Sequence, residues 1–171
     1  MNINIEEDKK VDIDMREQLL EATEAFLETI DEEIATPTYI YLFVFKEQAQ
    51  QLDEEKSEIS HLVVTKLIYI MIRAGPGGEK SISILCKRVS KRDMGASKNL
   101  NRLLSWVKKT IHDKKVIGAE SFTYVYTWID AAYMFNKKIR SHTGWAISIV
   151  HGVLHEKGSV QNLNTKISKE A

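Results

Sequence analysis

From Val11 onward, Met15, Leu19, Leu20, Ala22, Phe26, Leu27 and Ile30 recur at helical spacing, with Glu17, Glu21, Glu24 and Glu28 between them. The pattern predicts an amphipathic helix with an acidic outer face, preceded by ten polar, loose residues. Thr36-Pro37 breaks any helix there, because proline holds the residue before it in extended geometry. Tyr39 to Phe45 are aromatic and branched, which fits a short strand or an apolar loop packed on the body. Asp53, followed by Glu54 and Glu55, marks a second helix start, since carboxylates there complement free amides and the positive end of the macrodipole. That helix is expected to run to about Arg73. Leu62, Val63, Val64, Leu67, Ile68, Ile70, Met71 and Ile72 make it apolar nearly all round, which implies burial by neighbours on several sides.

Gly75-Pro76-Gly77-Gly78 ends the second helix. As a phosphate loop it lacks the Walker spacing, the Lys-Ser/Thr pair and a preceding apolar strand, so a plain helix terminator is the better reading. Ser81 to Val89 form another apolar segment of helical character. Leu100, Leu103, Leu104, Val107 and Ile111 then repeat at i, i+3, i+4, i+7 and i+11, predicting a helix from about Ala96 to His112. Its other faces carry Lys98, Arg102, Lys108 and Lys109. These four read either as a solvated face or, with Arg88, Lys91, Arg92, Lys114 and Lys115 nearby, as a track for phosphates.

After residue 114 the period changes to two. Tyr124 to Ile129 and Trp145 to Val150 read as strands, His151 to His155 as a third after a tight turn at Gly152, and Asn164-Thr165 as the start of a helix that the chain end cuts short, as in a truncated domain. The expected class is α+β, in three stretches: an acidic segment over 1–52 with the amphipathic helix, a helical connecting region over 53–113, and a three-stranded sheet over 114–171.

Composition narrows the function classes. The chain has 171 residues, the length of one domain, and its 43% hydrophobic content excludes wholesale disorder. A single cysteine, Cys86, excludes an internal disulfide framework and a thiolate-rich zinc site, and reads as a small core residue. The absence of an apolar leader or an 18-residue apolar run points to an intracellular protein, cytoplasmic or nuclear, with no membrane partner. His151 and His155 would pair on a helix, but in strand and turn they stand about 13 Å apart along the chain. His142 reads as a polar partner of a hairpin turn. The formal charge of zero hides a division: residues 1–60 hold 17 acidic and 5 basic side chains, a net −12, and residues 61–171 a net +12 with all five histidines. Such asymmetry points to a polyanion as the partner of the second part.

The run Tyr126-Thr127-Trp128-Ile129-Asp130-Ala131-Ala132-Tyr133, then Lys138-Ile139-Arg140-Ser141-His142-Thr143-Gly144, then Gln161-Asn162-Leu163-Asn164-Thr165-Lys166, resembles the opening of the ribonuclease H domain in copia-type retrotransposon polyproteins. Upstream, Ala35-Thr36-Pro37, Leu52-Asp53-Glu54-Glu55-Lys56, Thr65-Lys66-Leu67-Ile68-Tyr69, Arg73-Ala74 and Leu85-Cys86-Lys87-Arg88-Val89 resemble the stretch between the polymerase palm and that domain. The resemblance covers about residues 10 to 171, through the order and spacing of its motifs.

The resemblance implies a truncated ribonuclease H-like sheet and a chemistry of two magnesium ions, roughly 4 Å apart and held by hard carboxylate oxygens, cleaving the RNA strand of a hybrid. Asp130 matches the first metal-binding and catalytic carboxylate of that family; without the resemblance it reads as an Asp capping a turn after a strand. Glu170 falls one position before the second carboxylate, and one helical step turns a side chain about 100° away. The polymerase motif Tyr-x-Asp-Asp does not occur, and Asp12-Ile13-Asp14 reads as a solvated pair. Gly75-Pro76-Gly77 stands where the family has Arg-Pro-Asp. Trp145 replaces a glycine, where it is expected to crowd a close backbone approach.

The implied function is therefore a vestigial first carboxylate without tight magnesium binding. Neither polymerase nor nuclease activity is expected of the chain alone, with residual sequence-independent binding of duplex or hybrid through Lys98, Arg102, Lys108 and Lys109. The alternatives are a subunit completed in trans, a helical protein-interaction module, or a translated remnant with no function.

Overall fold

In a computed structural model of the chain, the residues described are 1–7, 10–26, 29–30, 34–38, 49–74, 77–88, 93–119, 123–132, 142–149 and 151–160. The expected strand or loop over Tyr39 to Phe45 and the helix expected at Asn164 lie outside them, as do Lys91 and Arg92. In chain order the elements are β1 (Asn2–Ile5), β2 (Lys10–Asp14), α1 (Arg16–Glu24), α2 (Glu54–Ala74), α3 (Glu79–Cys86), α4 (Met94–Lys109), β3 (Lys115–Gly118), β4 (Tyr126–Ala132), β5 (His142–Ser148) and β6 (Val153–Val160). The class is mixed α+β, with two three-stranded sheets ordered β1-β2-β3 and β4-β5-β6. The chain divides into two units, one of Met1–Asn4 and Asp12–Lys115, the other of Ile5–Val11 and Val116–Ala171.

The helical unit is built on stripes of apolar residues that meet in one core. Met15, Ala22 and Phe26 sit on or beside α1, and Val63, Val64, Leu67, Ile70 and Met71 lie along one side of α2. They close on Ile82 and Leu85 of α3 and on Leu100, Leu103, Leu104 and Val107 of α4. Each start has a local cause. Asp53 accepts the Lys56 N–H at 2.8 Å ahead of α2, and Asp93 accepts the Ala96 N–H at 2.8 Å at the start of α4. Between α2 and α3, Gly77 takes a φ of 88°, a left-handed turn that costs little only without a Cβ. Gly78 lies so close to the Met71 sulfur that a Cβ there would collide with it. Gly77 and Gly78 thus let α3 start directly beside α2.

Three expectations need correction. The first ten residues are not all loose, since Asn2–Ile5 and Lys10 onward are strand. The first helix begins at Arg16 rather than Val11, because Lys10-Val11-Asp12-Ile13-Asp14 alternates with period two and pairs as a strand; Asp14 then accepts the Arg16 N–H at 2.8 Å. Asp12 is not solvated either: its side chain is 13% exposed and lies 3.5 Å from the Lys114 ammonium.

In the second unit, β4 and β6 flank β5, both antiparallel to it, with Asp130 opposite Gly144 and Ile147 opposite His155. The register shifts between Ile147 and Ser148. At Gly152 the φ is 70°, as the expected tight turn demands, and a Cβ there would run into the Val116 carbonyl oxygen. That approach is fixed by two hydrogen bonds of 3.0 Å exchanged between the backbones of Gly118 and His151.

Candidate nucleic-acid interface

The four cations singled out on α4 occupy a helix that contains no Asp or Glu. At about 100° per residue, Lys98, Arg102 and Lys109 fall within roughly 40° of one another, whereas Lys108 lies about 80° to one side. The three aligned side chains point away from the buried row of Leu100, Leu103, Leu104 and Val107. Lys98 and Lys109, both exposed, are about 16 Å apart along the axis. Lys108 and Lys109 also sit in the last turn, where cations complement the negative end of the macrodipole.

The middle of the stripe is occupied by the chain itself. Arg102 donates to the Thr36 hydroxyl at 3.1 Å, and Asn101 donates to the Thr29 carbonyl at 2.9 Å. Ser105 lies about 20° to one side of Lys98 in angle, yet it is buried and donates to the Asn101 carbonyl at 3.0 Å. A ligand on this face thus meets Lys98 and Lys109 in the open and Arg102 half-buried against Thr36. Of the further cations near α4, Arg88 is held by Asp93 and Lys114 by Asp12. Those pairings are long-range or loop-borne, and the cation count along the chain does not reveal them.

Asp130 stands within β4, not at its end, and its side chain is exposed. Its cross-strand neighbours are Gly144 and, beyond it, Gly158, neither of which brings a ligand atom. The nearest acid on the same sheet face is Glu156, two strands away and displaced along the strand, in register with Ala146 and Trp128. No three His, Cys, Asp or Glu side chains come together among the described residues. This donor set does not fit a pair of magnesium ions, which need several converging oxygen ligands.

No protein-family model, no curated protein and no solved structure matches this chain.

Trp145 lies within β5, where its ring meets His155 edge-on at 5.0 Å, and nothing lies within 4 Å of a Cβ built on Gly144. One feature of β4 escapes a reading by period alone. Tyr126 and Trp128 share a face with their rings stacked at 6.3 Å, both exposed, while Ile129 on the opposite face is 77% exposed. Alternation correctly announces a strand here, but it presumes that one side is covered.

Cys86 ends α3, half-buried at the margin of the core, and burial pushes its thiol above the ordinary value of 9.0. A thiol held neutral in this way is a poor nucleophile. Among the described residues no helix is long and apolar enough to cross a membrane.

Proposed function

We propose that the chain is a non-catalytic nucleic-acid-binding relative of the copia-type polyprotein region between the polymerase palm and ribonuclease H, holding duplex or hybrid through phosphate contacts on α4. The observation that carries this reading is the alignment of Lys98, Arg102 and Lys109 on a helix free of carboxylates. A span of about 16 Å reaches several phosphates of one strand. Cations at this spacing contact backbone charge and no base edge, so the binding is independent of sequence. Asp130 alone offers no second carboxylate for a metal pair, and no hydrolytic step is assigned to it.

The test is a titration of an RNA–DNA hybrid at rising salt. Three neutralised phosphates correspond to a log–log slope of about −2.7, so raising salt fourfold weakens binding by roughly 40-fold. Replacing Lys98 and Lys109 by Ala lowers the slope to about −0.9, the value for the single remaining contact. Binding that is absent, or indifferent to salt, would overturn the proposal.

A further inference from the structure

The core side of α2 carries Val63, Val64, Leu67, Ile70 and Met71. On the opposite side of the same helix stand Leu62, Tyr69 and Ile72, which are 50%, 47% and 51% exposed. With Thr65 they follow a spacing of three, four and three residues, the seam period of paired helices, and fall within about 80° of one another. The sequence supplies two apolar faces, and among the described residues only the first is covered. Half-exposed apolar side chains aligned along one helix face, rather than scattered singly, suit an interaction surface.

The charges on the helix indicate what covers it. Glu54, Glu55 and Glu58 stand at its start, and Arg73 at its end, stacked 3.6 Å over the Tyr69 ring. Such a helix complements itself when reversed. We propose that α2 is a homodimer interface, in which the α2 helices of two copies pack antiparallel with Leu62 of each beside Ile72 of the other. The acidic start of each helix then approaches Arg73 of the second copy, and the two macrodipoles oppose. A depression of about 390 Å³ lined by Ser57, Glu58, His61, Leu62 and Thr65 lies open beside Leu62 and takes the Ile72 end of the second copy. A parallel arrangement would set acid against acid, and an unrelated acidic or basic partner would satisfy only one end of the helix.

Sedimentation of the full chain from 1 to 500 µM tests the interface. The parent is expected to shift from monomer to dimer within this range. Leu62→Glu and Ile72→Glu, at half-exposed sites where circular dichroism should show retained folding, each leave it monomeric. Glu58→Arg alone and Arg73→Glu alone weaken the dimer at least tenfold, because each puts like charges at both ends of the pair. The double reversal restores the parent constant to within about threefold. A monomer across the whole range overturns the proposal and leaves the face to a different partner. A dimer untouched by Leu62→Glu and Ile72→Glu overturns it as well, and failure of the double reversal to rescue overturns the antiparallel arrangement.

Discussion

Asp93→Ala is expected to destabilise the helical unit by about 3 kcal/mol, the sum of two separable losses. The side chain is 4% exposed and has two partners: one oxygen accepts the Ala96 N–H at 2.8 Å, the other meets the Arg88 guanidinium. Removing an N-cap acceptor costs about 1 kcal/mol. Breaking an enclosed ion pair by removing one partner costs about 3–5 kcal/mol. Arg88 keeps 18% of its side chain exposed, so water recovers part of that, leaving about 2 kcal/mol. Asp93→Asn keeps an oxygen for the cap and forfeits the charge, and should lose only about 2 kcal/mol. With a urea dependence of about 2 kcal/mol per molar, the midpoint followed by helical circular dichroism falls by about 1.5 M for Ala and about 1 M for Asn. An Ala variant within 0.5 kcal/mol of the parent would refute the reasoning, and equal losses for Ala and Asn would refute its cap component. The same experiment bears on the interface, because Asp93 fixes the start of the helix that presents Lys98, Arg102 and Lys109.

Three further outcomes follow from particular side chains. Leu104→Ala, at a position with no exposed surface, should cost about 2–5 kcal/mol in the same urea experiment, because the surrounding helices cannot close the void. Gly152→Ala forces an L side chain into a left-handed turn against the Val116 carbonyl and should cost about 1–3 kcal/mol, read as faster amide exchange at Gly118 and His151. Cys86, with its thiol pKa raised by burial, lends stability that is fully present below the ordinary thiol value of 9.0 and is lost as pH rises through the folded one. Cys86→Ala should therefore flatten the alkaline fall in stability, and iodoacetamide should label the native thiol more slowly than the unfolded one.

What was legible along the chain depended on how local its cause was. α2 and α4 are long, carry their own starting carboxylates and repeat their apolar residues over several turns, so period and capping define them. β4, β5 and β6 are consecutive and announce themselves by alternation and by the turn at Gly152. β1, β2 and β3 are four or five residues each, and although β2 alternates, its pairing with β3 is one that no short window of sequence contains. The apolar run of α2 implied neighbours on several sides, but among the described residues only one face finds them. At the candidate interface, helical arithmetic aligns Lys98, Arg102 and Lys109, whereas the Thr36 hydroxyl on Arg102 and the Asp93 carboxylate on Arg88 come from tertiary folding. The exposure of Asp130 beside Gly144 likewise required the register of the sheet.

The small sheet also bears on the order in which the chain acquires its structure. Its strand order sets β3 next to β2, although about 100 residues separate Asp14 from Lys115. Closing a loop of that length costs about 4 kcal/mol in chain entropy before any strand hydrogen bond repays it. The contacts among the helices span shorter separations and can form while the ends are still apart. On a ribosome, β1 and β2 emerge first and wait for β3, so the earliest residues made should be among the last to gain protection from hydrogen exchange.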